Sequence, residues 1–72
     1  MVQVYTKPNC IQCRMTKQLL ASKGVTFKEF NLLDYPEKID EFKAQGFMSA
    51  PIIITDTDCW SGFQPTKIND LR

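Results

Sequence analysis

Val4-Tyr5-Thr6-Lys7-Pro8-Asn9-Cys10-Ile11-Gln12-Cys13 places two thiols three residues apart, directly after a strand-like stretch. Met1 to Thr6 reads as a strand because Val2 and Val4 alternate with Gln3 and Tyr5 in β-branched and aromatic company. Lys7, Pro8 and Asn9 break it. From Cys10 to about Ser22 the apolar residues Ile11, Met15 and Leu19 recur at i, i+4 and i+8, joined by Leu20, while Arg14, Lys17 and Gln18 take the other side. This pattern predicts an amphipathic helix with the first stripe turned inward. Asn9 is expected to cap its start, Lys23 suits the negative end of its dipole, and Gly24 supplies the residue that ends it. The pair therefore straddles a strand-to-helix junction, where one helical turn brings both sulfurs within disulfide reach. Cys10 falls at the helix start, where unpaired backbone N–H groups and the positive dipole end favour a thiolate, and Lys7 adds a nearby charge. It is the expected nucleophile. Cys13 lies one turn deeper and fits the resolving role.

Further along, Phe27 to Leu32 reads as a second strand, parallel to the first because a helix connects them. Asp34-Tyr35-Pro36 stops it, and Pro36 opens a short helix running to about Gln45, with Ile39 and Phe42 on its inner side and Gly46 after its end. Ile52, Ile53 and Ile54 form an unbroken β-branched run suited to a strand covered on both faces. Asp56-Thr57-Asp58 turns the chain into a short strand at Cys59 and Trp60, so these two strands make a hairpin. A final helix is expected from about Thr66, carrying Ile68 and Leu71. The order predicts an α/β three-layer sandwich, a four-stranded mixed sheet flanked by three helices. Its 72 residues, 43% of them apolar, allow a single domain over 1–72.

Composition narrows the function. A formal charge of +1, with no like-charge block, provides no electrostatic footprint for nucleic acid or anionic lipid. The longest apolar run, Ala50 to Ile54, is far below the about 20 residues that cross a bilayer, and the opening residues lack the features of a secretory signal. A soluble, cytoplasmic, monomeric protein is the expectation. Three cysteines cannot make a disulfide framework, and bridging Cys10 to Cys13 closes so short a loop that its entropic stabilisation is small. Chemistry is the better reason for the pair. There is no histidine, which removes imidazole metal ligands and every nucleophile–histidine arrangement. A zinc site would need partners beyond Cys59, and an attached haem would need His where Arg14 stands, so no metal and no cofactor beyond the Cys10–Cys13 disulfide are expected. Cys59 itself reads as a small buried hydrophobe beside Trp60.

The segment Val4 to Cys13, Ala50-Pro51 before an apolar strand, and Trp60-Ser61-Gly62-Phe63-Gln64-Pro65 near the end together resemble the NrdH-redoxins. The likeness covers nearly the whole chain, and Trp-Ser-Gly-Phe-x-Pro is its most discriminating part. It implies a thioredoxin fold with glutaredoxin-like sequence, reduced by thioredoxin reductase rather than by glutathione. It also implies delivery of electrons to the active-site disulfide of the class Ib ribonucleotide reductase large subunit through that protein's mobile tail. By the same resemblance Pro51 is expected to be cis and to face the thiol pair. There the backbone of Ala50 can pair with a bound peptide as a strand would. Met48, Ala50, Pro51, Trp60, Ser61, Gly62 and Phe63 are accordingly the candidate substrate-binding residues, with Lys7 tuning Cys10. For Trp60 and Phe63 the competing reading is that of ordinary core aromatics. Met48-Ser49 stands where typical glutaredoxins carry a glutathione-binding Thr-Val-Pro stretch, and the Gly-Gly-x-Asp-like motif is missing after the hairpin. Both departures argue against the alternative of a glutathione-dependent glutaredoxin. A second alternative, a non-enzymatic thiol-switch regulator resembling the Spx group, is disfavoured because those chains are longer and carry an inserted helical region.

Overall fold

The computed structural model describes residues 2–71. Strand β1 (Val2–Thr6) leads through the Lys7-Pro8-Asn9 loop into helix α1 (Ile11–Ser22), and β2 (Phe27–Asn31) follows. The second strand is one residue shorter than expected: Leu32 begins a 3-10 turn, Leu32–Asp34, because the Asn31 side chain accepts the Leu33 N–H at 2.9 Å. Helix α2 (Pro36–Ala44) starts on its proline, and α3 (Pro65–Asn69) does likewise, one residue earlier than expected. Between them lie β3 (Ile52–Ile54) and β4 (Cys59–Ser61). The start expected at Met1 lies outside the described residues.

The sheet order is β2-β1-β3-β4, with β1 parallel to β2 and antiparallel to β3, and β3 antiparallel to β4. This is the mixed four-stranded sheet of the thioredoxin and glutaredoxin fold. Two apolar layers sandwich it. On one face Val4, Leu20, Ile53, Trp60 and Ile68 pack together, joining α1 and α3 to the sheet. On the other, Tyr5, Leu32, Phe42 and Ile52 pack under α2, with Phe30 stacked on Tyr5 at 5.0 Å between ring centres.

Three local expectations are corrected. Asn9 does not cap α1; it takes a left-handed conformation (φ 57°), and Cys10 is the capping residue. The inward face of α1 is Cys13, Thr16 and Leu20, whereas Ile11 is 71% exposed and Met15 also faces outward. Ile11 and Met15 each stand two positions from Cys13, about 200° around the helix, so burying Cys13 turns both away from the sheet. Cys59, expected to be buried, is an exposed free thiol on edge strand β4, because its neighbour Trp60 takes the inward position.

Candidate active site

The loop between β1 and α1 delivers Cys10 to the first position before the helix, with extended backbone (φ −112°, ψ 109°). Its Sγ accepts the Cys13 N–H at 3.1 Å. A sulfur thus performs the capping task that an Asn or Ser oxygen usually performs, and a negative sulfur there meets both an N–H donor and the positive end of the helix. Cys10 and Cys13 are joined as a disulfide, with Cα atoms 5.2 Å apart. The sulfurs differ in access: Cys10 is half-buried, while Cys13 is only 3% exposed.

The loop before β3 closes the other side. Ala50 and Pro51 are joined by a cis peptide bond, and the Ala50 carbonyl oxygen stands 3.9 Å from Cys10 Sγ, within reach of a thiol donor in the reduced state. The Pro51 carbonyl accepts the Gly62 N–H at 2.8 Å, tying the loop after β4 to the same place. Gly62 is in the left-handed region (φ 81°), and a side-chain carbon there would lie 3.6 Å from Gln12 Oε1. Gly62 therefore lies against Gln12, one of the two residues between the cysteines. Ser61 and Phe63 flank it half-buried, and Trp60 is buried in the core, its ring 5.5 Å under the Lys67 ammonium. Trp60 shapes this loop from within. Met48, by contrast, is 74% exposed.

Two clefts lie at the site: one borders Ala50, whose carbonyl faces Cys10, and the other borders both cysteines. The first, about 220 Å³, is mostly apolar and runs from Ala50 and Met48 over Leu33, Phe42 and Phe47. The second, about 550 Å³, is mostly polar and is lined by Thr6, Cys10, Cys13, Lys17 and Glu29. Lys7, exposed, borders both. In the polar cleft Glu29 Oε2 accepts the Thr6 hydroxyl at 2.9 Å and meets the Lys17 ammonium at 2.9 Å. The bond from Lys17, aided by that from Thr6, holds the Glu29 carboxyl below its ordinary range despite some desolvation. Neither Leu33 and Phe47 on the apolar side nor the Thr6–Glu29–Lys17 group was readable as part of the site from the sequence. Their only signal is proximity across the sheet, which needs the β1–β2 register that pairs Val4 with Glu29.

Comparison with known proteins identifies the lineage. A family model described as Glutaredoxin matches residues 2–60. The chain belongs to the glutaredoxin family. Within it the chain is 39% identical over 71 residues to the glutaredoxin-like protein NrdH of Salmonella typhimurium, covering 99% of this chain and 88% of that one. The NrdH protein of Lactococcus lactis subsp. cremoris is also 39% identical, with 99% of each chain covered. The solved NrdH-redoxin of Escherichia coli, a glutaredoxin-like protein with a thioredoxin-like activity profile, superposes with a TM-score of 0.94 at 37% identity, covering 99% of this chain and 93% of that one. This is an NrdH-type thiol-disulfide oxidoreductase with a Cys-x-x-Cys pair in a redoxin fold. No helix among the described residues is long and apolar enough to cross a membrane.

Proposed function

We propose that this redoxin carries electrons from thioredoxin reductase to the disulfide of a class Ib ribonucleotide reductase large subunit, working as a cytoplasmic monomer with no cofactor beyond its own Cys10–Cys13 disulfide. The observation that carries this reading is a half-exposed Cys10 at the cap of α1, set beside an apolar cleft fit for a peptide. Likeness to NrdH proteins over nearly the full length supports the choice of partners.

The chemistry follows from the two sulfurs' positions. In the reduced protein the Cys10 thiolate, favoured by the Cys13 N–H, the helix dipole and the charge of Lys7, attacks one sulfur of the substrate disulfide. A Cys10–substrate disulfide forms and the other substrate sulfur leaves as a thiolate that takes a proton. Cys13 then gives up its proton and attacks Cys10 Sγ. The Cys10–Cys13 bond forms, the Cys10–substrate bond breaks, and the substrate leaves with both sulfurs reduced. Two electrons have moved from the redoxin to the substrate, and the reductase restores them. The Ala50 backbone is placed to pair with the extended substrate segment beside Cys10, while Met48, Ser61, Gly62 and Phe63 shape the rim and Trp60 supports it from the core.

Thermodynamics alone does not select the donor, since glutaredoxins and thioredoxin differ by only about 40 to 70 mV. Recognition must select it, and Met48-Ser49 before Ala50 and Ser61-Gly62 after Trp60 provide no glutathione cradle. The test is NADPH oxidation with this protein as sole carrier to a model disulfide, once with thioredoxin reductase and once with glutathione plus glutathione reductase. Faster turnover with thioredoxin reductase is expected. Faster turnover with glutathione makes the protein an ordinary glutaredoxin, and no turnover in either system favours a thiol switch.

A further inference from the structure

The polar cleft beside the disulfide contains a charged group that the exchange mechanism above does not use. Thr6 is 4% exposed at the end of β1, and its hydroxyl donates to Glu29 on β2. The same carboxylate oxygen meets Lys17, which stands one helical turn beyond Cys13 on α1. Cys13, Thr6, Lys17 and Glu29 all border this one cleft. Cys13 is otherwise enclosed: toward α2 it packs in the cluster of Tyr5, Leu32 and Phe42, so the polar cleft is the side from which water and charge reach it.

We propose that Lys17 and Glu29 are positioning residues for the resolving step, an opposed pair of charges on the cleft wall that sets how readily Cys13 releases its proton. This rests on the roles given above to Cys10 and Cys13. The Lys17 ammonium stabilises a Cys13 thiolate across the cleft, and the Glu29 carboxylate opposes it. Thr6, buried and rigidly placed, fixes the carboxylate, and the carboxylate in turn fixes a lysine that would otherwise swing freely in solvent. The remaining charged groups bordering the cleft are Lys7 and Arg14 near the helix start and Asp34 after β2, while Tyr5 faces Cys13 from the opposite side. None of these is joined to Lys17 or Glu29, so the pair can be altered one charge at a time. The lowered proton affinity of Glu29 keeps it charged wherever a thiol titrates.

Dithiodipyridine, a neutral disulfide, reads both steps without a protein partner. In a Cys59→Ser background, which removes the exposed third thiol, Cys10 attacks it and releases one thiopyridone; Cys13 then attacks the mixed disulfide on Cys10 and releases the second, as the Cys10–Cys13 bond forms. Stopped-flow traces across pH locate the midpoint of the second phase. Lys17→Met is expected to raise that midpoint by about half a pH unit, and Glu29→Gln to lower it by a similar amount. The double variant is expected to return near the parent, and added salt to compress all the differences. Both side chains are partly exposed, at 35% and 42%, and Gln retains an acceptor for Thr6, so the variants keep the fold. Thermal melts confirm that. A structural role alone moves rates without moving midpoints in opposite senses. Coincident midpoints, shifts of one sign, or shifts in the reverse sense overturn the proposal while leaving the redoxin reading intact. In the Cys59→Ser background, a trace without a second phase, or two equivalents of thiopyridone once Cys13→Ser is added, overturns the assignment of roles and the proposal with it.

Discussion

Two cysteines of identical chemistry are made different by where each stands on one helical turn. Cys10 is outside the helix proper, half-exposed, with its sulfur accepting the Cys13 N–H at 3.1 Å. Cys13 is inside the first turn and buried. A thiolate is the attacking species, so the sulfur with a donor and a dipole pointed at it is expected to start the reaction and the sheltered one to finish it. Replacing Cys13 with Ser is expected to trap a covalent mixed disulfide with an oxidised substrate, visible as a mass increase that dithiothreitol removes. Cys10→Ser is expected to trap none, and the reverse pattern would refute the assignment. The thiol of Cys59 is exposed on β4, where its N–H is taken by Asp58 Oδ1 at 2.7 Å. It stands on edge strand β4 and lines neither of the two clefts at the site.

At the scale of elements, the site is a meeting of three chain ends: the start of α1, the entry to β3 and the exit from β4. The bond from the Gly62 N–H to the Pro51 carbonyl, 2.8 Å, joins the second and third. Gly62 also sits close to Gln12, joining the third to the first. Its φ of 81° is the left-handed conformation that a side chain disfavours. Gly62→Ala is expected to cost about 1 kcal/mol of folding stability. It should also slow turnover with a protein disulfide, because relieving the disfavoured φ shifts the loop that rests against Gln12. Urea denaturation measures the first effect and the coupled NADPH assay the second; an unchanged midpoint and an unchanged rate together would show that this junction does not shape the site. Helix α1 teaches a second lesson at this scale. Its periodic stripe of Ile11, Met15 and Leu19 is a genuine helical signal, yet only Leu19 of the three packs against the core. The first two remain exposed to solvent, at 71% and 37%.

For the whole molecule, a core divided by one sheet makes each central residue count. Ile53 is fully buried in β3, paired with Val4 on one side and Trp60 on the other, and it packs toward α1 and α3. Truncating such a side chain removes its transfer free energy and leaves a cavity, so Ile53→Ala is expected to cost about 2 to 5 kcal/mol. Small domains have only about 5 to 15 kcal/mol in total, so the variant should lose a large part of its stability while the Cys10 environment in the folded fraction is unchanged. Urea-unfolding midpoints check the first claim and the rate of the first dithiodipyridine phase checks the second. A loss under about 1 kcal/mol would mean that the two layers can collapse around the gap.

The motif, the order of elements and the place of the two cysteines at a strand-to-helix junction were legible in the amino-acid sequence because they rest on short-range physics. Strand alternation at Val2 to Tyr5, the break at Lys7-Pro8-Asn9, prolines at helix starts and glycines after helix ends act within a few residues of themselves. Helix ends were accordingly placed within a residue or two. The cap at Cys10 escaped because Asn9 is the better capping residue by propensity, and the sulfur's alternative became visible only with the loop's path. Tertiary structure decided everything that depends on which surfaces cover which. The burial of Cys13 turned Ile11 and Met15 outward; Trp60 took the inward place and left Cys59 exposed. The parallel register of β1 and β2 brought Thr6 to Glu29, and the seating of α1 on that face brought Lys17 to the same carboxylate. Residues 12 and 23 positions apart in the chain have no local signal of their contact, since side-chain proximity across a sheet is set by the packing of whole elements.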